Sequence, residues 1–166
     1  MSNMKLIRIS GIESESIVDG EGIRYVIFTQ GCPHHCPGCH NPQTHPFGGG
    51  KLVLMEDILD DISKRKNWVD GITISGGEPF CQIYQCALIA EKAHEIGLSV
   101  WCYTGYLFED LYKQGIELLK YIDVLVDGPF VQAEKSLELD FRGSRNQRVI
   151  DIPESLKEGV AILKQT

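Results

Sequence analysis

The chain has 166 residues, 43% of them hydrophobic and 23% charged, which is enough apolar material for one buried core. Its 16 Lys and Arg stand against 23 Asp and Glu, and the net charge of −7 argues against a nucleic-acid partner, because phosphate binding needs a basic face. No apolar run is long enough for a secretory signal or a membrane span. We therefore expect a cytoplasmic, single-domain protein over residues 1–166 with no membrane partner.

Strands and helices are predicted to alternate through the middle of the chain. In chain order, strands are predicted at residues 6–9, 24–29, 71–75, 98–103 and 122–126, and helices at residues 53–66, 83–96 and 107–120. The last helix is expected to break at Gly115, residues 147–152 to add a strand, and the tail after Pro153 to be either strand or helix. On the strand at 98–103, one of Trp101 and Tyr103 is expected to face the core and the other to face away.

This alternation predicts the fold class. Strand, helix and strand in sequence form right-handed units of a parallel sheet covered by helices. A complete eight-fold barrel needs about 250 residues. We therefore predict an α/β fold, a partial open barrel of five or six units, with its site at the carboxyl ends of the strands.

The strongest signal is a cysteine cluster that follows the strand ending at Thr29. Cys32, Cys36 and Cys39 have the spacing C-x3-C-x2-C, and three thiolates within eight residues can bind one face of a cubane iron–sulfur cluster. No fourth cysteine follows at ferredoxin spacing. One iron is then left open for a ligand from a substrate, as in other open catalytic metal sites.

Other interpretations of the cysteines stay open. The three thiols with His34, His35 or His40 match the ligand count of a structural zinc site, and Cys36 and Cys39 match a redox dithiol. The remaining cysteines are expected to be buried as small hydrophobic side chains; they are Cys81, Cys86 and Cys102.

A second motif, Ser75-Gly-Gly-Glu-Pro79, follows the predicted strand at 71–75. Glycines at a strand end allow the backbone to approach a ligand closely. Glu78 adds a carboxylate suited to a ligand's ammonium group, and Pro79 stiffens the exit. The alternative is an ordinary strand-to-helix turn that carries a surface glutamate.

Taken together, the two motifs resemble those of radical S-adenosylmethionine proteins. Residues 19–24 and 28–32 resemble the entry segment of the activases of glycyl-radical enzymes. Within that family the chain is similar to the group that activates anaerobic ribonucleoside-triphosphate reductase. Residues 39–42, 101–106, 127–130 and 141–147 carry this closer similarity.

The resemblance implies an enzyme and its activity. A [4Fe–4S] cluster on Cys32, Cys36 and Cys39 would reductively cleave S-adenosylmethionine, and the 5′-deoxyadenosyl radical would abstract hydrogen from a glycine of the large subunit of the reductase. A reduced small electron-transfer flavoprotein is the implied electron donor. Pro129 occupies the position of a lysine in activases of pyruvate formate-lyase, which counts against that partner.

The resemblance also implies the residues that bind S-adenosylmethionine. The expected contacts are Gly76, Gly77, Glu78, Pro79, His40, Thr104 and Asp127. Gly76, Gly77 and Glu78 would hold the methionine amino group, and Thr104 and Asp127 would contact S-adenosylmethionine or a cation beside it. His40 is the candidate for the adenine contact, because Gly38 stands where many relatives carry an aromatic residue.

Two other functions remain possible at this stage. One is a radical enzyme that acts on a small purine-like metabolite, and the other is a zinc-stabilised interaction module without catalysis. Arg142, Arg145 and Arg148 form a basic patch in an acidic chain. The patch meets either the partner or the S-adenosylmethionine carboxylate, or it pairs in solvent with Glu138 or Asp140.

Overall fold

Seven strands form one sheet in the order β3-β1-β2-β4-β5-β6-β7 in the computed structural model, which describes residues 5–165. The strands are β1 Leu6–Ser16, β2 Arg24–Thr29, β3 Lys51–Leu54, β4 Gly71–Gly76, β5 Ser99–Tyr103, β6 Val124–Asp127 and β7 Arg148–Asp151. The helices are α1 Met55–Arg65, α2 Ile83–Glu95, α3 Phe108–Lys113 and α4 Ile152–Glu158. None of the helices in this described part of the chain is long and apolar enough to cross a bilayer.

The centre of the sheet is parallel and its flanks are antiparallel. Strands β2, β4, β5 and β6 run parallel, whereas β1 pairs antiparallel with both β2 and β3, and β7 pairs antiparallel with β6. The α/β class and the open sheet are thus as predicted. The parallel part has four strands, fewer than the five or six units expected, because the segments at both ends of the chain return as antiparallel strands.

The two faces of the sheet bury different residues. On β5, Val100 and Cys102 pack in the main core with the helices, while Trp101 packs in a smaller cluster with Val126 and Tyr103 on the other face. The expectation that Trp101 and Tyr103 face opposite ways is wrong. Side chains alternate along a strand with a period of two, so residues two apart share a face.

Several element boundaries differ from the predictions for a tertiary reason. The predicted helix at 53–66 begins only at Met55, because residues 51–54 pair with β1 as an edge strand. Gly115 breaks the helix at 107–120 as predicted, since it adopts a φ of +65° that favours glycine. The chain around Pro153 forms the first turn of α4, and Leu163 bridges back to Ile150 beyond the helix.

The cysteines outside the cluster divide into two kinds. Cys86 and Cys102 are fully buried in the main core, which confirms that they serve as small hydrophobic side chains. Cys81 is exposed, so the same expectation is wrong for this residue. Cys81 ends the short 3₁₀ turn Pro79–Cys81 and lies on the surface rather than under a helix.

Arg24 joins the first strands of the parallel sheet from inside the protein. Its side chain is 1% exposed, and its guanidinium group donates hydrogen bonds to the Thr73 hydroxyl, the Ser99 hydroxyl and the Ile72 carbonyl. Burial lowers the pKa of Arg24 to about 10, partly offset by the Asp70 carboxylate. The guanidinium therefore links β2, β4 and β5 at the end of the sheet opposite their carboxyl termini.

Replacing Arg24 tests this link. We expect Arg24→Met to lower the free energy of unfolding by about 3 kcal/mol, because several buried acceptors lose a charged donor. Urea unfolding followed by circular dichroism measures the change. The control is Arg65→Met, whose guanidinium forms a half-exposed pair with Asp61 and should cost at most about 0.5 kcal/mol. Equal effects of the two changes would contradict the structural role of Arg24.

Candidate active site

A cleft of about 360 Å³ lies at the carboxyl ends of the parallel strands. Its lining includes the three clustered cysteines and residues that follow β4, β5 and β6. The predicted site residues on this lining are Cys32, Cys36, Cys39, His40, Gly76, Gly77 and Thr104. The cleft thus brings the cysteine loop together with the diglycine turn, although their residues lie 37 to 45 positions apart in the sequence.

The cysteine loop is held in place by backbone hydrogen bonds. The Gly31 amide donates to the Thr44 carbonyl at 2.7 Å, and the Cys32 amide donates to the His45 carbonyl at 3.0 Å. The loop therefore closes on itself before the chain returns to the sheet at β3. Cys32 is buried, and burial raises the pKa of its thiol, whereas Cys36 and Cys39 are partly exposed.

The arrangement of the thiols suits a multi-iron cluster. Within residues 5–165, no three Cys, His, Asp or Glu side chains converge closely enough to hold a single metal ion. The thiols of Cys32, Cys36 and Cys39 instead line a shared open volume. A cubane cluster binds each thiolate at a different iron, so it needs ligands spread around a volume. Three thiolate donors on this volume fit a [4Fe–4S] cluster, which would keep one iron without a ligand from these cysteines.

The two glycines are required by the approach of the cysteine loop. A Cβ atom on Gly76, which has a φ of +91°, would lie 2.4 Å from the Thr29 nitrogen, and one on Gly77 would lie 2.4 Å from the Gly31 oxygen. The Gly77 amide donates to the Thr29 carbonyl at 2.8 Å. Glycine is needed here because the diglycine turn packs directly on the backbone that leads into Cys32.

Glu78 lies behind the cleft wall and is fully buried. Its carboxylate accepts hydrogen bonds from the Thr104 hydroxyl at 2.8 and 2.9 Å, the Gly105 amide at 2.8 Å and the Phe80 amide at 3.0 Å. His34 Nε2 lies 2.6 Å from Glu78 Oε1. The carboxylate expected to meet a ligand's ammonium group is thus surrounded by donors of the protein itself.

The His34 ring connects the cysteine loop to the ends of two strands. It lies between Cys32 and Cys36 in the sequence, packs edge-on against Tyr106 at 4.6 Å between ring centroids, and contacts Gly105 closely enough that a Cβ there would clash. Through the bond to Glu78, this single side chain holds the loop against the turns after β4 and β5. The sequence suggested His34 only as a zinc ligand.

Asp127 is also fully buried and is paired within the protein. Arg148 donates to both carboxylate oxygens of Asp127 and also to Glu109. These bonds raise the pKa of Arg148, and the bond to Asp127 has the larger effect. The Phe108 amide donates to Asp127 at 2.8 Å, so the carboxylate also caps the start of α3. Asp127 joins β6, β7 and α3 beside the cleft.

The other predicted residues are placed as follows. His40 is exposed at the cleft and stacks edge-on against Phe130 at 5.3 Å, and Pro79 is buried at the start of its 3₁₀ turn. Arg142 lines the cleft and donates to the Arg145 and Gln147 carbonyls. Among residues 5–165, no arginine of the patch pairs with Glu138 or Asp140, so that interpretation of the patch is wrong.

Sequence reasoning missed part of the cleft wall. Asp19, Tyr103, Leu139, Phe141 and Gln147 also line it. Asp19 lies in the segment 19–24 that resembles the activases, and Phe141 and Gln147 are the first and last residues of the resembling segment 141–147. The sequence therefore contained these motifs but did not show that they line the cleft.

Substituting His34 tests its role in positioning the loop. We expect His34→Leu to lower the free energy of unfolding by about 1–3 kcal/mol, because the buried Glu78 carboxylate loses a donor. A reconstituted cluster should also release iron to a chelator several-fold faster, since the loop loses its side-chain link. His34→Gln keeps an N–H donor and should recover most of both properties. Indistinguishable Leu and Gln variants would contradict the role of the bond.

Known proteins resemble this chain over most of its length. The family described as "4Fe-4S single cluster domain" matches residues 18–150. The "Anaerobic ribonucleoside-triphosphate reductase-activating protein" of Haemophilus influenzae is 36% identical over 138 residues, which cover 79% of this chain and 89% of the relative. Proteins of that name from Escherichia coli K12 and Enterobacteria phage T4 are also 36% identical, each over 80% of this chain and over 91% and 86% of the relative.

A solved structure, described as "Crystal structure of QueE from Escherichia coli", matches with a TM-score of 0.44 and 20% identity, covering 60% of this chain and 52% of that one. The sequence matches extend much further along the chain. Since they cover about four fifths of this chain and most of each relative, the chain belongs to the 4Fe-4S single cluster domain family and, within it, to the anaerobic ribonucleoside-triphosphate reductase-activating proteins.

Proposed function

We propose that this protein activates the large subunit of an anaerobic ribonucleoside-triphosphate reductase by creating a glycyl radical on it. The observation that carries the proposal is that three cysteine thiols and the Gly76–Gly77 turn line one cleft, in a chain 36% identical to named activating proteins. The proposal places the protein in the cytoplasm, because six free thiols and an oxygen-labile cluster persist in a reducing compartment.

The cluster, when bound by Cys32, Cys36 and Cys39, supplies the electron that cleaves the sulfonium bond of S-adenosylmethionine. Cleavage gives methionine and a 5′-deoxyadenosyl radical. This radical takes the hydrogen atom from a glycine Cα of the partner and leaves as 5′-deoxyadenosine, so the unpaired electron ends on the glycine. The Cα radical is stabilised by delocalisation over the two flanking amides.

In this proposal the residues of the cleft bind and orient S-adenosylmethionine. Gly76 and Gly77 present backbone rather than side chains to the cleft, which leaves room for the methionine part of S-adenosylmethionine. His40 is exposed beside Phe130, where its ring can contact the adenine. Thr104 borders the cleft, whereas Glu78 and Asp127 act from behind it by fixing the turns after β4, β5 and β6.

A polypeptide substrate is consistent with the open sheet. The end strands β3 and β7 do not pair with each other, so the barrel stays open at one side. Val18 borders the cleft and is 71% exposed, and Leu139 borders it from the loop after β6. A loop of a partner protein can therefore reach the cleft from the side, which a sealed cavity of metabolite size would not allow.

The decisive experiment uses protein purified without oxygen and reduced with dithionite. We expect it to convert S-adenosylmethionine to 5′-deoxyadenosine and methionine, and to produce a glycyl doublet in the electron paramagnetic resonance spectrum of added reductase large subunit. A reductase variant that lacks the acceptor glycine is the control and should give no doublet. Turnover of a purine-like metabolite without the doublet, or a colourless protein with one zinc per chain, would overturn the proposal.

Cysteine substitutions test which thiols bind the cluster. We expect Cys32→Ala, Cys36→Ala and Cys39→Ala each to abolish the visible absorbance of the cluster and the cleavage of S-adenosylmethionine, because each removes an iron ligand. Cys81→Ala is the matched control, since Cys81 is an exposed thiol outside the cleft, and should keep both. Iron and sulfide analysis per chain measures the result. A Cys81→Ala protein without iron would contradict the assignment.

A further inference from the structure

A second hollow of about 290 Å³ lies on the outer side of the cysteine loop. Its lining is Leu6, Arg8, Gln30, Phe47, Leu52, Cys81, Gln82 and Gln85, and none of these residues lines the cleft. The cleft and the hollow are therefore lined by different residues. The function proposed above uses only the cleft.

The hollow lies next to Cys32. The Phe47 ring packs so close to Gly31 that a Cβ there would lie 2.5 Å from the ring, and Gln30 on its wall is two residues before Cys32. The Phe47 ring and Gly31 thus lie between the surface of the hollow and Cys32, which is the most buried of the three predicted iron ligands.

The hollow is fixed rather than formed by a loose loop. The Gln82 side chain donates to the Arg8 carbonyl at 2.8 Å and accepts from the Arg8 amide at 2.9 Å, which joins β1 to the turn before α2. The Gln30 side chain donates to the Gln43 and Pro46 carbonyls, which holds the returning part of the cysteine loop. The walls of the hollow are therefore formed by strands and by the cysteine loop, which is hydrogen-bonded to the Gln30 side chain.

The surface around the hollow combines exposed apolar side chains with glutamines and one positive charge. Phe47 is 54% exposed, Leu52 is 53% exposed, and Leu54 beside them is 43% exposed. Within the described chain, Arg8 is the charged residue of this lining, and no carboxylate shares it although the protein as a whole carries −7. Its guanidinium is held by the Gly49 carbonyl at 2.9 Å. An apolar patch with a cationic centre fits a partner with an acidic rim and an apolar contact.

We propose that this hollow is the docking site of the protein that reduces the cluster, a small acidic electron-transfer flavoprotein. The inference rests on the function proposed above, since S-adenosylmethionine and the partner polypeptide then occupy the cleft side. A reductant must reach the cluster from elsewhere, and electron transfer falls steeply with distance. The route through Phe47 and Gly31 to Cys32 is short and leaves the cleft free.

The proposed step moves one electron and no atoms. The reduced flavin of the donor loses an electron, and the oxidised cluster gains it before S-adenosylmethionine is cleaved. Redox encounters of this kind are weak and brief, and they use small interfaces. Charge on such a surface controls the rate of encounter more than the affinity.

The test compares a protein reductant with a chemical one on the holoenzyme. Leu52→Glu places a negative charge on the hollow, and we expect it to slow cluster reduction by reduced flavodoxin about tenfold, since like charges oppose the encounter. Reduction by dithionite, a small molecule that needs no docking, should keep its rate. Stopped-flow absorbance without oxygen measures both rates. Val160→Glu, at a 57% exposed apolar residue outside the hollow, is the matched control and should leave both rates unchanged.

Arg8→Gln provides a second, independent variant. It removes the positive charge and keeps a polar side chain. We expect it to slow reduction by flavodoxin but not by dithionite, and to reduce the salt dependence of the flavodoxin rate. Flavodoxin rates equal to wild type in both Leu52→Glu and Arg8→Gln would overturn the docking site. Failure of dithionite-reduced wild type to place a radical on the reductase would instead overturn the proposed function, so the two failures are distinguishable.

Discussion

The buried carboxylate of Glu78 is the interaction on which the arrangement of the site depends. A carboxylate removed from water is stable only when donors satisfy its oxygens. Here those donors are the Thr104 hydroxyl, the Gly105 and Phe80 amides and the His34 ring, from the turns after β4 and β5 and from the cysteine loop. A single buried charge therefore fixes three segments at the floor of one cleft.

Asp127 is a second buried carboxylate, at the end of β6. It is fully buried, it is neutralised by Arg148 on β7, and it holds the first turn of α3. Parallel strands end at the same edge of a sheet, and two internal carboxylates there hold the turns through hydrogen bonds within the protein. Residues 26–49, which include the cysteine loop, contain no Asp, Glu, Lys or Arg, and the loop is positioned by its backbone hydrogen bonds and by the contact of His34 with Glu78.

The cysteine loop separates two surfaces with different chemistry. The inner surface is the cleft, where Gly76 and Gly77 expose backbone beside the thiols. The outer surface is the apolar hollow around Phe47 and Arg8. In the proposed function these surfaces receive different partners, S-adenosylmethionine with the reductase on one side and the electron donor on the other. The two surfaces share no lining residue, so these partners would not compete for the same side chains.

Residue spacing and hydrophobic periodicity are local properties of the chain, so the α/β class, the three-cysteine loop, the diglycine turn and the family could be predicted before the fold was known. Three features could not be predicted in this way: β1, β3 and β7 flank the parallel strands, Cys81 is exposed, and Glu78 and Asp127 are paired inside the protein. His34 and Glu78 are 44 residues apart, and Asp127 and Arg148 are 21 apart. Whether a carboxylate faces a ligand or a protein donor depends on what folding brings next to it, which no local pattern contains.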